Sequence, residues 1–318
     1  MPDPQAPRIG LLNEGDAVEG VFLLTSCLLR QNAQGEAFLL GEIRDRSGTM
    51  GFISWRADAE QHQRLREQPL VAISGRVQRH RDRLQIVAQT VDEAPPDGRQ
   101  IEDFLPAAIS DQAEALAHLD RLIASIDNIW LRRVLDGLFA AGAVRQRFAA
   151  APAATSLHHA RPGGLLEHAV MVAELAAAVA GVYPDADRDL LVTGALVHDL
   201  GKIDELNWEA APTYTTRGNL LGHTLLGCAR LSAVIDGIAD FPSALADRLV
   251  HLVASHHGSQ EYGAARPPAF LEAIILHALD NLDASADACR QAVATDRGPN
   301  PEWTGINPML GRRLYRGP

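Results

Sequence analysis

Lysine is almost missing from this chain. Of its 29 basic residues, Lys202 is the single lysine and the rest are arginines. A compact ammonium and a planar guanidinium are not equivalent where a point charge must meet a phosphate or another small anion, so Lys202 has to be read with its neighbours. Cysteine is scarce as well. Cys27, Cys228 and Cys289 lie far apart, form no CxxC pair and are odd in number. That argues against a disulfide scaffold or a thiolate zinc site and for a reducing compartment. No basic segment followed by an apolar stretch opens the chain, so no secretory signal is expected. The longest apolar run, Ala169 to Tyr183, is interrupted by Glu174 and is too short to span a bilayer. A cytoplasmic protein without membrane attachment is expected. The net charge of −11 excludes a surface coated in cations. It does not exclude nucleic acid, because a metal site or a local basic strip supplies positive charge that the net count hides.

What is present suits a globular chain of two domains: 318 residues, 47% hydrophobic and 22% charged. The first part reads as strands. Segments around Ala17–Leu29, Ala37–Arg44, Met50–Ser54, Leu70–Val77 and Leu84–Val91 are rich in Val, Ile, Leu and Phe, and turn-forming stretches separate them. Five short strands predict a small barrel of the OB type, with a helix between Trp55 and Pro69. Ala94 to Gly98 is a linker by composition, and beyond it the apolar spacing is helical. Helices are predicted at Leu165–Ala180, Asp187–Leu200, Leu220–Ile238, Ser243–His256 and Ala269–Ala294, and the last twenty residues read as an extended tail. The expected organisation is an all-β OB-type domain over 1–95, a helical connector over 96–150, and an all-α domain with its tail over 151–318.

Nine of the twelve histidines fall between His158 and His277. His198-Asp199 and His256-His257 each end an apolar helical segment and are followed by a glycine suited to stopping a helix. The last turn of a helix favours a cation. His168 and His223 lie near helix starts. Asp280 lies on a long apolar helix, where an unpaired carboxylate is costly. Imidazoles and carboxylates bind divalent first-row metals, and a carboxylate can bridge two of them. His168, His198, Asp199, His223, His256, His257 and Asp280 therefore form a candidate ligand set for two ions bridged by Asp199. Two ions roughly 3.5–4 Å apart can share a hydroxide and clamp a phosphodiester for in-line attack. Histidine-rich ligation with two aspartates suits Mn²⁺, Fe²⁺, Co²⁺ or Zn²⁺ better than Mg²⁺, and of these Mn²⁺ is the expected ion.

The segments HHARPGGLLEHAV, LVHDLGK, LLGHTLLG, SHHGSQEYG and LHALDNLDA, in that order, resemble the HD-domain metal-dependent phosphohydrolases. The resemblance puts His168 on the first histidine of that superfamily, His198-Asp199 on its namesake pair and Asp280 on its final aspartate. His223, His256 and His257 fall on the extra histidines of its binuclear members, and Lys202 on a lysine near the scissile phosphate. APAATSLHHARPGGLLEH and SHHGSQEYG are similar to one branch, the bacterial 3′→5′ exoribonucleases of the YhaM type, which carry an OB domain before an HD domain. This resemblance implies a hydrolase acting on single-stranded RNA from the 3′ end, with single-stranded DNA as a further substrate to test. Asp199 and Lys202 would be its catalytic groups. The residues alone say phosphoester hydrolysis, and they leave a homo-oligomer open.

Candidate substrate contacts are spread over both domains. Trp55, beside a charged stretch, is the better candidate for base stacking. Alternation leaves open whether Phe38 and Phe52 face outward or into the barrel. Arg76, Arg79, Arg81 and Arg83 crowd a predicted hairpin that could follow a phosphate backbone. His158, His159 and Arg161 precede the first candidate ligand and are candidates for phosphate or ribose contacts; loop-capping hydrogen bonds are the competing reading. Glu261 is a candidate for orienting a sugar hydroxyl, and Asp283 for holding a ligand imidazole. Two other functions compete. A nucleotide or cyclic-dinucleotide phosphohydrolase keeps the metal site, although the GYP tripeptide of cyclic-di-GMP hydrolases is absent. A nucleic-acid-binding protein with a decayed metal site does not fit the intact set of seven ligands.

Overall fold

Alternating aliphatic residues and well-placed turns decide the first part of the chain. The computed structural model describes residues 8–80, 83–94, 103–104, 111–155, 159–208, 212–296 and 300–317. Strands β1 (Ala17–Gln31), β2 (Ala37–Asp45), β3 (Gly48–Ser54), β4 (Leu70–His80) and β5 (Arg83–Glu93) close into a barrel in the order β1-β2-β3-β5-β4. β3 and β5 run parallel, the other neighbours antiparallel. This is an OB-like barrel, as the strand pattern predicts. Helix α1 (Ala59–Glu67) lies between β3 and β4; Asp58 caps it by accepting from the Gln61 N–H, and its Leu65 is buried in the barrel core. Phe52 is wholly buried in the same core, on Phe22, Leu39 and Ile86, which removes it from the stacking candidates. A second, smaller apolar cluster outside the barrel joins Val21 and Leu23 to Phe104.

The described residues group into two units, with 8–104 and 290–317 in one and 111–208 and 212–289 in the other. Residues from Arg290 onward therefore group with the barrel. They do not end as an extended tail. β8 (Trp303–Asn307) and β9 (Arg312–Tyr315) form an antiparallel hairpin. Its turn is fixed by the Asn307 side chain, which accepts from the Met309 and Leu310 N–H groups.

The second unit is helical. Helices α2 (Gln112–Ala124), α3 (Ile129–Phe139) and α4 (Ala143–Ala150) share one apolar core with α5 (Gly164–Ala180), α6 (Arg188–Val197), α8 (Thr216–Asp236), α9 (Ser243–Ser255) and α10 (Leu271–Thr295). Side-chain caps start several of them: Asp111 for α2, Asn128 for α3 and Asp187 for α6. Between α6 and α8 lie the short α7 (Lys202–Glu205) and the two-residue strands β6 (Leu206–Asn207) and β7 (Thr213–Tyr214). Among the described residues, no helix is long and apolar enough to cross a membrane.

Candidate metal centre

The last carbonyls of a helix have no partner within it. His198 and His256 follow directly on α6 and α9, and each turns its ring back onto the carbonyl three residues earlier. Nδ1 lies 2.8 Å from the Ala195 oxygen for His198 and 2.7 Å from the Val253 oxygen for His256. A carbonyl only accepts, so Nδ1 carries the hydrogen and Nε2 keeps a lone pair directed inward. His168, on α5, does the same against a carboxylate, with Nδ1 2.7 Å from Asp283 Oδ2.

His223 is reached differently. Gly222 has φ +70°, which breaks α8 in two and releases the His223 N–H from the helical ladder. Glu205 Oε1 accepts that N–H at 2.9 Å, and both Glu205 oxygens lie 3.1 Å from His223 Nδ1. Gly201 lets the turn after α6 press against α8, since a Cβ there would stand 2.0 Å from the His223 carbonyl oxygen.

These backbones bring the candidate ligands together around Asp199, which is 2% exposed. Its Oδ1 lies 3.5 Å from His223 Nε2 and 3.6 Å from His256 Nε2. Its Oδ2 lies 3.6 Å from His168 Nε2, 3.5 Å from His198 Nε2 and 2.6 Å from Lys202 Nζ. Asp280 Oδ1 completes the second side, 3.2 Å from His168 Nε2 and 3.7 Å from His198 Nε2. His257 completes the first, with Nε2 2.8 Å from His223 Nε2. Two triads able to hold a metal ion thus lie on either side of one carboxylate: His223, His256 and His257; and His168, His198 and Asp280.

The donor set fits divalent cations. Asp199 Oδ1 and His256 Nε2 are buried without any hydrogen-bond partner, a state that costs ~1–3 kcal/mol per group unless something is bound there. Burial, aided by neighbouring imidazoles, holds His256 well below the ordinary histidine range and His257 at about 4, so both are neutral donors at pH 7. Burial alone would raise the Asp199 and Asp280 carboxyls. Lys202 and the surrounding imidazoles hold Asp199 well below the carboxylate range, and His168 and His198 do so for Asp280. Burial disfavours a charged His168, but hydrogen bonds to Asp280 and Asp283 outweigh it and raise its pKa to about 9. A proton and a divalent cation compete for that Nε2 lone pair, which couples cation uptake to proton release.

An HD-domain family model matches residues 165–285, the stretch that carries all of these groups. Over a wider span the chain is 35% identical across 281 residues to the 3′-5′ exoribonuclease YhaM of Bacillus velezensis, covering 88% of each chain. It is 33% identical across 290 residues to the Bacillus subtilis protein of the same name, covering 91% of each. The chain belongs to the YhaM family. A YhaM relative from Listeria welshimeri is 32% identical across 272 residues, covering 85% of this chain and 86% of that one. The HD domain matched in this chain implies use of a divalent metal.

Within this YhaM-family chain the other candidate residues fall in different surroundings. His159 is 4% exposed, with its ring between Glu167 and Asp283, so it does not offer itself to a phosphate. Arg161 pairs with Glu167 and lies 3.8 Å from Asp287. Glu261 is exposed on the 3₁₀ turn Gln260–Tyr262. In the barrel unit, Trp55 is 56% exposed with its ring 5.3 Å from that of half-buried Phe38. Arg79 pairs with Glu14 at 3.1 Å. His158, Arg81 and most of the 94–98 linker lie outside the described residues.

Sequence reasoning overlooked Glu205. Its only local signal is a carboxylate closing the turn LGKIDE directly after the HD pair. Glu205→Ala removes both the acceptor for the His223 N–H and the partner of Nδ1. Outer partners of ligating histidines typically hold ~10–100-fold in metal affinity, and a loss of that size is expected in a Mn²⁺ binding isotherm.

Proposed function

We propose that this chain is a metal-dependent 3′→5′ exoribonuclease that hydrolyses single-stranded RNA at a two-ion centre in its helical unit. The observation that supports this most is the position of Asp199, whose two oxygens each face a separate group of nitrogen donors. His168, His198 and Asp280 would hold one ion, His223, His256 and His257 the other, and Asp199 would bridge them. Seven ligands of which five are imidazoles suit a divalent first-row metal better than Mg²⁺, and we take Mn²⁺ as the ion to test first. Ions bound there supply Lewis acidity to a phosphodiester and to the attacking water.

The chain's own side chains set the conditions for that chemistry. The backbone carbonyls and carboxylates behind His168, His198, His223 and His256 hold their Nε2 atoms inward. Lys202 anchors one Asp199 oxygen and keeps a positive charge beside the place where a phosphate would sit. RNA as substrate and the 3′→5′ direction are carried over from the names of the YhaM relatives. The three free cysteines and an RNA substrate agree with a cytoplasmic location.

The test is a 5′-labelled single-stranded RNA incubated with the protein and Mn²⁺. A ladder of labelled products shortening from the 3′ end, lost when that end is blocked, supports the reading. Intact RNA in the presence of bound Mn²⁺ refutes it. A matched DNA strand measures sugar discrimination.

Trp55 and Phe38 form an accessible aromatic pair on the outer side of the barrel strands, and we assign them a stacking role for the RNA strand. A stacked base contributes ~1–3 kcal/mol. Trp55→Ala is therefore expected to raise KM roughly 5–100-fold with kcat nearly unchanged, since this contact lies outside the reacting groups.

A further inference from the structure

His159 lies with His168 and Asp283 in a third buried group of side chains able to hold a metal ion, but its ring is already occupied by two carboxylates, Glu167 and Asp283. We propose that His159 is a positioning residue that fixes the donor geometry of His168 through Asp283; the inference rests on His168 being a metal ligand, as proposed above. A single oxygen, Asp283 Oδ2, lies 2.7 Å from His168 Nδ1 and 2.9 Å from His159 Nε2. All three side chains are buried. An aspartate held by one hydrogen bond can still swing about its own torsions, and the imidazole it supports swings with it. The second bond, from His159, removes that freedom.

His159 is itself held at several points. Its Nδ1 lies 3.1 Å from Glu167 Oε2, its backbone N–H donates to Asp287 Oδ2 at 2.7 Å, and its carbonyl accepts from the Ala153 and Arg161 N–H groups at 3.1 and 2.9 Å. Its φ of +50° lies in the left-handed region. A non-glycine residue stays there, at ~1–3 kcal/mol, only where its surroundings over-determine it. Beside Glu167 on α5, three carboxylates on one face of α10 serve this side of the centre. Asp280, Asp283 and Asp287 follow at spacings of three and four, which stacks them along the helix. The first faces His168 Nε2, the second His168 Nδ1 and the third the backbone of His159. The triad on the other side of Asp199 is supported differently, His256 by a backbone carbonyl and His223 by Glu205. Loss of His159 should therefore be felt on one side only.

The experiment is a Mn²⁺ titration of the full chain after chelator treatment, followed by the electron paramagnetic resonance signal of free Mn²⁺. Asp280→Ala identifies the binding class on the His168 side. His159→Asn is the main variant, because asparagine tolerates the left-handed backbone and its short amide cannot join the two carboxylates. That variant is expected to weaken the class lost in Asp280→Ala by about tenfold or more, while the other class and the melting temperature of the chelated protein stay near wild type. Asp287→Ala, which frees the His159 backbone, should weaken the same class and decides the matter if His159→Asn does not fold. Unchanged binding in both classes, or equal weakening of both, overturns the proposal. A wild-type protein that takes up no Mn²⁺ instead refutes the metal centre itself, so the two failures are distinguishable.

Discussion

Asp199→Asn is expected to yield a folded protein with no measurable ribonuclease turnover. Both Asp199 oxygens are committed, one toward His223 and His256, the other toward His168, His198 and Lys202. The amide replaces one of them by an NH₂ group. That group points hydrogens at imidazole lone pairs or at the Lys202 ammonium and cannot join two cations. Loss of an outer partner costs ~10–100-fold; loss of the shared carboxylate should exceed a hundredfold by about an order of magnitude or more. Folding should survive, because the helical core is a broad apolar cluster running from α2 to α10 that does not depend on this side chain. The check is a rate measured at saturating Mn²⁺ beside a near-ultraviolet circular dichroism spectrum. Near-normal turnover would remove Asp199 from its assigned role.

Divalent cations should also raise the melting temperature by a large amount. The centre gathers five imidazoles, three of them buried, and Asp199 Oδ1 and His256 Nε2 have no hydrogen-bond partner. A ligand that binds only the folded state stabilises it by about 4 kcal/mol at a thousand times its dissociation constant. For a domain of this size that corresponds to roughly 8–16 °C. Differential scanning calorimetry of chelated protein with and without Mn²⁺ measures the shift. His198→Ala should abolish most of it, because that substitution takes away one inward Nε2 and its link to the end of α6. An equal shift in that variant would mean that the cation binds elsewhere.

The strands of the barrel were legible because aliphatic segments alternate with Gly-, Asn- and Asp-rich turns, and β1 to β5 extend the expected ranges by at most three residues at either end. The direction of Phe52 was not legible, since alternation gives two faces without saying which is inside. The candidate metal centre was legible in part for a physical reason: histidines placed directly after a helix have carbonyls of that helix to lean on. The supporting residues were not. His159 meets Asp287 across 128 residues of sequence, and no local pattern announces such a pairing. The carboxylates that His159 and Arg161 meet were hidden on the same ground, as they come from α5 and α10. The C-terminal hairpin carried a signal that composition concealed. Asn307-Pro308 and Gly311, which has φ +63°, form a turn between two short strands in a segment that looks merely rich in Gly, Pro and Arg.

The burial of Lys202 against Asp199 makes the chain its own chemical reporter. With one ε-amine in the whole sequence, 7% exposed and hydrogen-bonded at 2.6 Å, an acylating reagent meets almost no reactive side-chain amine while the pocket is shut. Each side-chain adduct gained under heat, denaturant or chelation would then count the molecules whose pocket has come open, with no label added by design.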